Sequence, residues 1–477
     1  MNNTTNSTVI VGGGFVGLFA ALHLAHHHYS EPVILIDRSD RFTFKPLLYE
    51  HLTGEMENLE VFPRYEDLLE GSNVTIVKDE VTAIDLQQRR VELASGSHHD
   101  YKHLVLGVGS TQGYLGTEGA QENGFAFRTQ EDTVALEKHL RSCLQQAVRA
   151  DAKARKALLT VAIVGAGPSG VEMAATLADL LPIWYEELGG DFEELRIVLA
   201  NHSNQILKGD ANSHLKETAM DALLDRTVPV ELLLKAGVTK VTGDRLEYQL
   251  KDEDTTKALP AKTVVWTAGT ATNPVIEKLS LSDAEKNKHG LPLVNTNLQL
   301  LQHPEVFAAG DCAVVKERDY APLAQIAYQE AATIAKNLIA LSQNKELHAV
   351  SASMRGTLMK LGIHNGVANI FDKVKVNGRT GDIIRNVTYL EMLPTPLHDF
   401  NATTEWLSEE IFHRYHQPQT EAEKQHQRQA KANIFTGITS IAIGAIAAIA
   451  LISGSVAVWR TIHSPEQPAT QQNSEPN

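Results

Sequence analysis

The sequence predicts an α/β protein with two Rossmann-like dinucleotide-binding domains, a smaller C-terminal region and one transmembrane helix. Three observations lead there. Two G-x-G-x-x-G loops occur, each between a β-branched run and an apolar helical pattern, and they lie about 150 residues apart. A third feature is a stretch of 26 residues, Ile434 to Trp459, without a charge. The chain of 477 residues, 43% of them hydrophobic, is long enough for about three domains with sizeable cores.

The first loop is Gly12-x-Gly14-x-x-Gly17 in "STVIVGGGFVGLFAALHLAHH". A strand precedes it, a helix follows, and the next strand, "PVILID", ends in Asp37, twenty residues past Gly17. Glycines in this order allow a tight turn and a close approach of backbone to a pyrophosphate, whose charge faces the helix N-terminus. Asp37 is placed to accept hydrogen bonds from a ribose hydroxyl. The second loop, Gly165, Gly167 and Gly170 in "LTVAIVGAGPSGVEMAATLADLL", repeats the arrangement. Two units imply two dinucleotides, one able to be held permanently while the other exchanges.

Composition narrows the function. A formal net charge of −15 argues against a nucleic-acid partner, which needs a basic face. The two cysteines, Cys143 and Cys312, form no C-x-x-C pair, and so few suit a reducing compartment. Twenty histidines include the consecutive His26, His27 and His28, which point in different directions on a helix, and H-E-x-x-H and calcium-loop patterns are missing, so no metal is expected. The start, "MNNTTNST", is polar and reads as no signal peptide, with the fold beginning at about residue 8.

Further motifs place the chain in a family. "PEVFAAGDCAVV" carries Asp311 after an apolar strand and a glycine. It resembles the second FAD motif of the two-dinucleotide-domain flavoproteins, whose Asp contacts the ribityl chain. "YKHLVLGVGS" (Tyr101 to Ser110) and "KTVVWTAGTATNP" (Lys262 to Pro274) resemble the exit from the FAD domain and the return from an inserted nicotinamide domain. The resemblance covers about residues 8–345. Disulfide reductases and sulfide:quinone oxidoreductases of this superfamily use cysteines beside the flavin, and this chain has no such pair. The finer match is to type II NAD(P)H:quinone oxidoreductases, single-chain enzymes that do not pump protons. "FTFKPLLYEHLTGE" (Phe42 to Glu55) is similar to that family's segment after the ribose-binding acid, and "PLAQIAYQEA" resembles its A-Q-x-A-x-Q quinone signature through Ala324, Gln325, Ala327 and Gln329.

The resemblance implies tight, non-covalent FAD, with NADH and/or NADPH as co-substrate and a membrane quinone as acceptor. It implies catalytic roles for Glu172, Gln325 and Gln329. A helix starting after Pro322 places Gln325 and Gln329 four residues apart on one face, where two amides can meet a quinone carbonyl beside Ala324, Ile326 and Tyr328. The implied divisions are 8–115 and 276–345 for the FAD domain, 116–275 for the NAD(P)H domain, 346–418 for the C-terminal domain, 419–433 for a linker, 434–459 for the span and 460–477 for a tail. Two other functions fit these motifs: reduction of a demethylated naphthoquinone in quinone biosynthesis, and a membrane-anchored redox sensor that binds nucleotide.

Two departures matter. The second unit's strand "LRIVLAN" ends in Asn201 where the family pattern has Glu. A carboxylate there repels the 2′-phosphate of NADPH, so Asn201 implies relaxed use of both nucleotides. In "RGTLMKLGIHNGVANIF", His364 and Asn365 fall where the family brings a basic residue toward the quinone.

The charge-free segment is apolar on every face, unlike an interfacial helix. As a helix it would reach about 39 Å, enough to cross a hydrocarbon core of about 30 Å. Lys424, Arg428 and Lys431 precede it and Arg460 follows, which orients the catalytic domains to the cytoplasm. The small residues Ser440, Gly444 and Ala448 are spaced to pair two such helices in a homodimer.

Overall fold

The computed structural model describes residues 6–394 apart from 210–212, 317, 319, 355 and 371–373. The expected membrane helix at 434–459 lies outside the described residues, as do the linker and tail. Among the described residues no helix is long and apolar enough to cross a membrane.

Two parallel sheets share one wiring. In the first, β1 (Thr8–Val11) pairs with β2 (Val33–Asp37) on one side, and β3 (Val74–Lys78) extends that edge. On its other side β1 meets β4 (His103–Leu106). In the second, β5 (Thr160–Val164) lies between β6 (Arg196–Asn201) and β8 (Thr263–Trp266), and β7 (Glu231–Leu234) extends the β6 edge. A late strand, β9 (Val306–Ala308), returns to the first sheet beside β4. The residues from 160 to 266 that build the second sheet are therefore an excursion from the first. The chain leaves and comes back through an antiparallel pair, Ser110–Gln112 against Thr270–Thr272. There the Gln112 side chain donates to the carbonyls of Ala268 and Gly269.

All four residues of β1, and all five of β5, are buried. That is the signature of a parallel strand covered by helices on both faces, and it explains the unbroken β-branched runs before each glycine loop. α1 (Phe15–His26) covers the first sheet and packs against a late helix, Ala324–Ser342, with Phe19 edge-on to Tyr328 at 4.7 Å.

The C-terminal part of the described chain is a separate antiparallel layer: β10 (Gly356–Lys360), β11 (Gly366–Ile370) and β12 (Val374–Asn377), capped by the helix Gly378–Glu391. This last helix inverts the usual pattern. Asp382, Arg385 and Asn386 are buried while Ile383 is exposed. The reason lies across the seam, where Glu50 and Glu55, from the helix Leu48–Thr53 and the turn after it, are also buried. Arg385 donates to Glu50 at 2.5 Å and to the Pro46 carbonyl at 2.7 Å. Lys360, itself wholly buried, donates to Glu50 at 3.1 Å and Glu55 at 2.7 Å.

Removing one partner of such a network leaves a buried charge uncompensated. Arg385→Ala should cost about 3–5 kcal/mol of stability. Equilibrium urea unfolding followed by tryptophan fluorescence would measure it, and a loss below about 1 kcal/mol, the worth of a surface ion pair, would show that the pair is not sealed from water.

Candidate functional site

Each dinucleotide loop is shaped by its own strand neighbours. The Gly12 amide donates to the Ile36 carbonyl and the Gly165 amide to that of Ala200, both at 2.8 Å. The first glycine of each loop has a positive φ, 93° at Gly12 and 104° at Gly165. A Cβ at the third glycine would sit 1.8 Å from the carbonyl of the first, both at Gly17 and at Gly170. Protein packing thus demands glycine at the first and third positions, but not at the second. Gly14 has an ordinary φ of −74°, and its nearest neighbour to a built Cβ is 3.8 Å away. Gly167 has the same φ and nothing within 4 Å. Open space beside a glycine at a helix N-terminus fits a pyrophosphate that must come close to the backbone.

The residues that end the second strands follow the same plan. Asp37 accepts from the Gly13 amide at 2.6 Å and the Ser39 amide at 2.8 Å. Burial raises its carboxyl above the usual range, and these two amides pull the other way. Asn201 stands in the corresponding place: its Oδ1 accepts from the Ala166 amide at 3.3 Å, and its Nδ2 donates to the Gln205 carbonyl at 2.9 Å.

Around Asp311 the structure gathers residues that the motifs did not single out. Ser110 donates to the Asp311 carboxylate at 2.9 Å, and Arg128 donates to the Ser110 carbonyl and hydroxyl. Lys45 is crowded by protein atoms yet remains exposed to solvent. Burial, with help from nearby Arg128, pushes it down to about 8. Neither Lys45 nor Arg128 has an ion pair among the described residues, so both fit the phosphates of a dinucleotide diphosphate. Glu330 braces the turn by accepting from the Gly310 amide at 2.8 Å, and burial pushes it up to about 7. A hint of Glu330 was present in the sequence, one residue after the glutamine pair. Lys45 and Arg128 carried no motif.

The cysteines take no part. Both are buried and free. The Cys312 thiol, next to Asp311, donates to the Leu106 and Ala309 carbonyls and is pushed up to about 12 by burial, so it has little thiolate for redox chemistry.

Glu172 is the fifth residue of the helix Pro168–Glu187, where the second unit meets the first. Tyr49 donates to the Ser169 carbonyl at 3.1 Å across that junction. The Lys360 amide donates to Glu172 at 2.9 Å. Burial pushes Glu172 up to about 7, against the pull of Arg385 and the Lys360 amide.

Gln325 and Gln329 do share a helix face, and both amides turn to the chain that follows. Gln325 donates to the Gly356 carbonyl at 3.0 Å. Gln329 donates to the Ser353 carbonyl at 3.0 Å and accepts from its amide at 3.2 Å. Ala324 opens this helix, and Tyr328 turns toward Phe19. His364 occupies the turn between β10 and β11, with Nδ1 3.8 Å from Glu55.

Comparison with known proteins agrees with this geometry. The family described as pyridine nucleotide-disulphide oxidoreductase matches residues 6–331. A demethylphylloquinone reductase of Synechocystis, NdbB, is 30% identical over 410 residues, spanning 84% of this chain and 95% of that protein. The type II NADH:quinone oxidoreductase Ndh of Mycobacterium tuberculosis is 32% identical over 320 residues, covering 65% of this chain and 67% of its own. The chain belongs to the type II NAD(P)H:quinone oxidoreductases. In fold, NDH2 of Plasmodium falciparum, solved in complex with NADH, superposes with a TM-score of 0.76 over 85% of this chain and 98% of that one, at 18% identity. The type II enzymes are FAD-dependent and use NAD(P)H.

The two kinds of loop glycine should separate experimentally. Gly17→Ala drives a Cβ into a carbonyl and should cost about 1–3 kcal/mol or more of stability. Gly14→Ala has room in the protein and should leave stability within about 0.5 kcal/mol, yet lower the FAD content of the purified enzyme. Equal FAD retention in Gly14→Ala and the unchanged protein would remove the pyrophosphate from that position.

Proposed function

We propose that this chain transfers electrons from NAD(P)H to a membrane quinone without pumping protons, in the overall reaction NAD(P)H + H⁺ + quinone → NAD(P)⁺ + quinol. The observation that carries the proposal is the pair of open middle glycines, Gly14 and Gly167, on two identically wired loops with Glu172 at their junction. FAD in the first site would supply the two-electron relay between nicotinamide and quinone. Gly12, Gly14, Gly17 and Asp37 would hold its adenosine diphosphate half, Asp311 its ribityl chain, and Lys45 and Arg128 its phosphate charge. Gly165, Gly167, Gly170 and Asn201 would hold NAD(P)H. Glu172, with a pKa near neutrality, is able to exchange a proton close to where the two meet.

On the quinone side, the helix from Ala324 supplies Gln325, Tyr328 and Gln329. Because the two glutamines hold the carbonyls of Gly356 and Ser353, they would act on the quinone partly by fixing those positions. The segment 434–459 would hold the enzyme at the bilayer where its quinone dissolves, with the catalytic domains on the cytoplasmic side. The divisions 8–115, 116–275 and 276–345 serve this reading as FAD, nicotinamide and FAD portions. A second reading, reduction of a demethylated naphthoquinone, is favoured by the name of the Synechocystis relative. Steady-state rates with a demethylated naphthoquinone, ubiquinone and menaquinone analogues distinguish the two.

Two outcomes test the assignment. Gln329→Ala should slow flavin reoxidation by a water-soluble quinone by about tenfold, the effect of losing about 1.4 kcal/mol. Flavin reduction by NAD(P)H should be nearly unchanged. Stopped-flow absorbance resolves both steps, and slowed reduction with normal reoxidation would contradict the quinone-side placement.

Asn201→Glu restores a charge that repels a 2′-phosphate. The ratio of kcat/KM for NADH over NADPH should rise by about tenfold or more. A constant ratio would mean that residue 201 does not meet the ribose.

A further inference from the structure

Behind Glu172 lies a concentration of charge that the electron-transfer reading does not use. Four carboxylates, Glu50, Glu55, Glu172 and Asp382, come together with two permanent cations, Lys360 and Arg385. They arrive from the helix Leu48–Thr53 and its following turn, the N-terminal part of Pro168–Glu187, β10, and the helix Gly378–Glu391. Glu50, Lys360 and Arg385 have no exposure, and Asp382 and Glu55 have 1% and 3%. With every group ionised, the cluster lacks two positive charges. So large an imbalance in a dry interior is costly.

The partners are unevenly shared. Lys360 takes one oxygen of Glu50 and one of Glu55, and Arg385 takes the same Glu50 oxygen. Thr53 also donates to the Glu55 oxygen that Lys360 uses. The other Glu55 oxygen faces His364 Nδ1 at 3.8 Å. Among the described residues, Asp382 Oδ2 accepts only a long bond from Asn386 at 3.4 Å, and the buried Oδ1 has no hydrogen-bond partner. One donor atom from each of Glu55, His364 and Asp382 lies within 4.8 Å of the others.

We propose that Glu55, His364 and Asp382 bind a divalent transition-metal ion, such as Zn²⁺ or Mn²⁺, that locks the C-terminal layer onto the flavin-domain helix. One imidazole nitrogen and two carboxylate oxygens are a ligand set for such ions, whereas Mg²⁺ prefers oxygen and water. Ligands about 2.1 Å from a tetrahedral ion stand about 3.4 Å apart, so a pair separated by as much as 4.8 Å closes by about 1.4 Å, within reach of side-chain rotation. The ion supplies the two missing charges and a partner for Asp382 Oδ1. Protonation would supply charge alone. Lys360 does not compete for the place, because its ammonium engages Glu50 and the other oxygen of Glu55. The site also reaches the chemistry indirectly, since the amide of Lys360 holds Glu172.

The ligands lie at 55, 364 and 382, too scattered for a sequence pattern, which is why the sequence points to no metal. The proposal is independent of which quinone is reduced, and of whether one is.

The test uses the full-length, FAD-loaded enzyme without an affinity tag, stripped by dialysis against dipicolinate. Elemental analysis and calorimetric titration with ZnCl₂ and MnCl₂ then measure binding. One of the two ions should bind at one equivalent per chain and raise the melting temperature. Asp382→Asn and His364→Gln should each weaken that binding by tenfold or more. His364→Gln provides the reading if Asp382→Asn does not fold, since His364 is partly exposed in the β10–β11 turn. A triple change of His26, His27 and His28 to Ala should leave the binding intact. Absence of a one-equivalent site for either ion, or affinity unchanged in His364→Gln, would overturn the proposal. So would loss of the one-equivalent binding in the His26–His28 variant.

Discussion

The carboxylate of Glu50 is the point on which the seam between the nucleotide-binding sheets and the C-terminal layer depends. It is wholly buried, so its charge must be met within the protein. Burial pushes its pKa up, but Arg385 and Lys360 outweigh that and hold it ionised, below the usual carboxylate range. Meeting the charge forces a helix to turn Asp382, Arg385 and Asn386 inward and to leave Ile383 in solvent. It draws the end of β10 onto the helix Leu48–Thr53, and that places the Lys360 amide against Glu172. The same β10–β11 turn is gripped a second time, where the Ile363 amide donates to Asp179, itself paired with Arg226. A buried ion network of this kind contributes little net stability compared with an apolar seam of equal size. It does impose one register, because every displaced charge would be stranded.

The two dinucleotide units show how one local constraint can be used twice with different outcomes. The first glycine must adopt a positive φ, and the third must let a carbonyl approach its Cα. These demands come from the chain itself, so the motif survives whatever ligand is bound. The middle glycine answers to the ligand. What distinguishes the units is the residue that ends the second strand: a carboxylate in Asp37, an amide in Asn201. Both accept a hydrogen bond from the loop amide beside them, at Gly13 and Ala166 respectively. The structural role therefore survives the change while the charge presented to a ribose does not.

Much of the candidate site was legible in the sequence because it is local. Each loop, its preceding strand and its following helix are contiguous, so spacing carries the geometry. Asp37 and Asn201 could be placed because each ends the strand that follows its loop helix. Gln325 and Gln329 share a helix face as their spacing requires. Their amides nonetheless reach Gly356 and Ser353, and Tyr328 turns to Phe19, neither of which the spacing foretells. Lys45 and Arg128 were not visible as site residues. A lone lysine or arginine in a sequence is usually a solvated charge, and only the folded chain shows these two beside Asp311.

By itself the sequence determined the α/β class, the two dinucleotide loops, the membership of a flavin-dependent quinone-reductase family and the lack of a redox cysteine pair. Those properties rest on short-range order: hydrophobic runs, positive-φ glycines and residues a turn or a strand apart. The tertiary structure alone decided that β9 returns beside β4, that Lys45 and Arg128 gather near Asp311, and that Glu50, Glu55, Lys360, Asp382 and Arg385 meet in one buried cluster. Such meetings join residues hundreds of positions apart. The energy that selects them, the need to neutralise a charge removed from water, exists only once the surrounding chain has excluded that water.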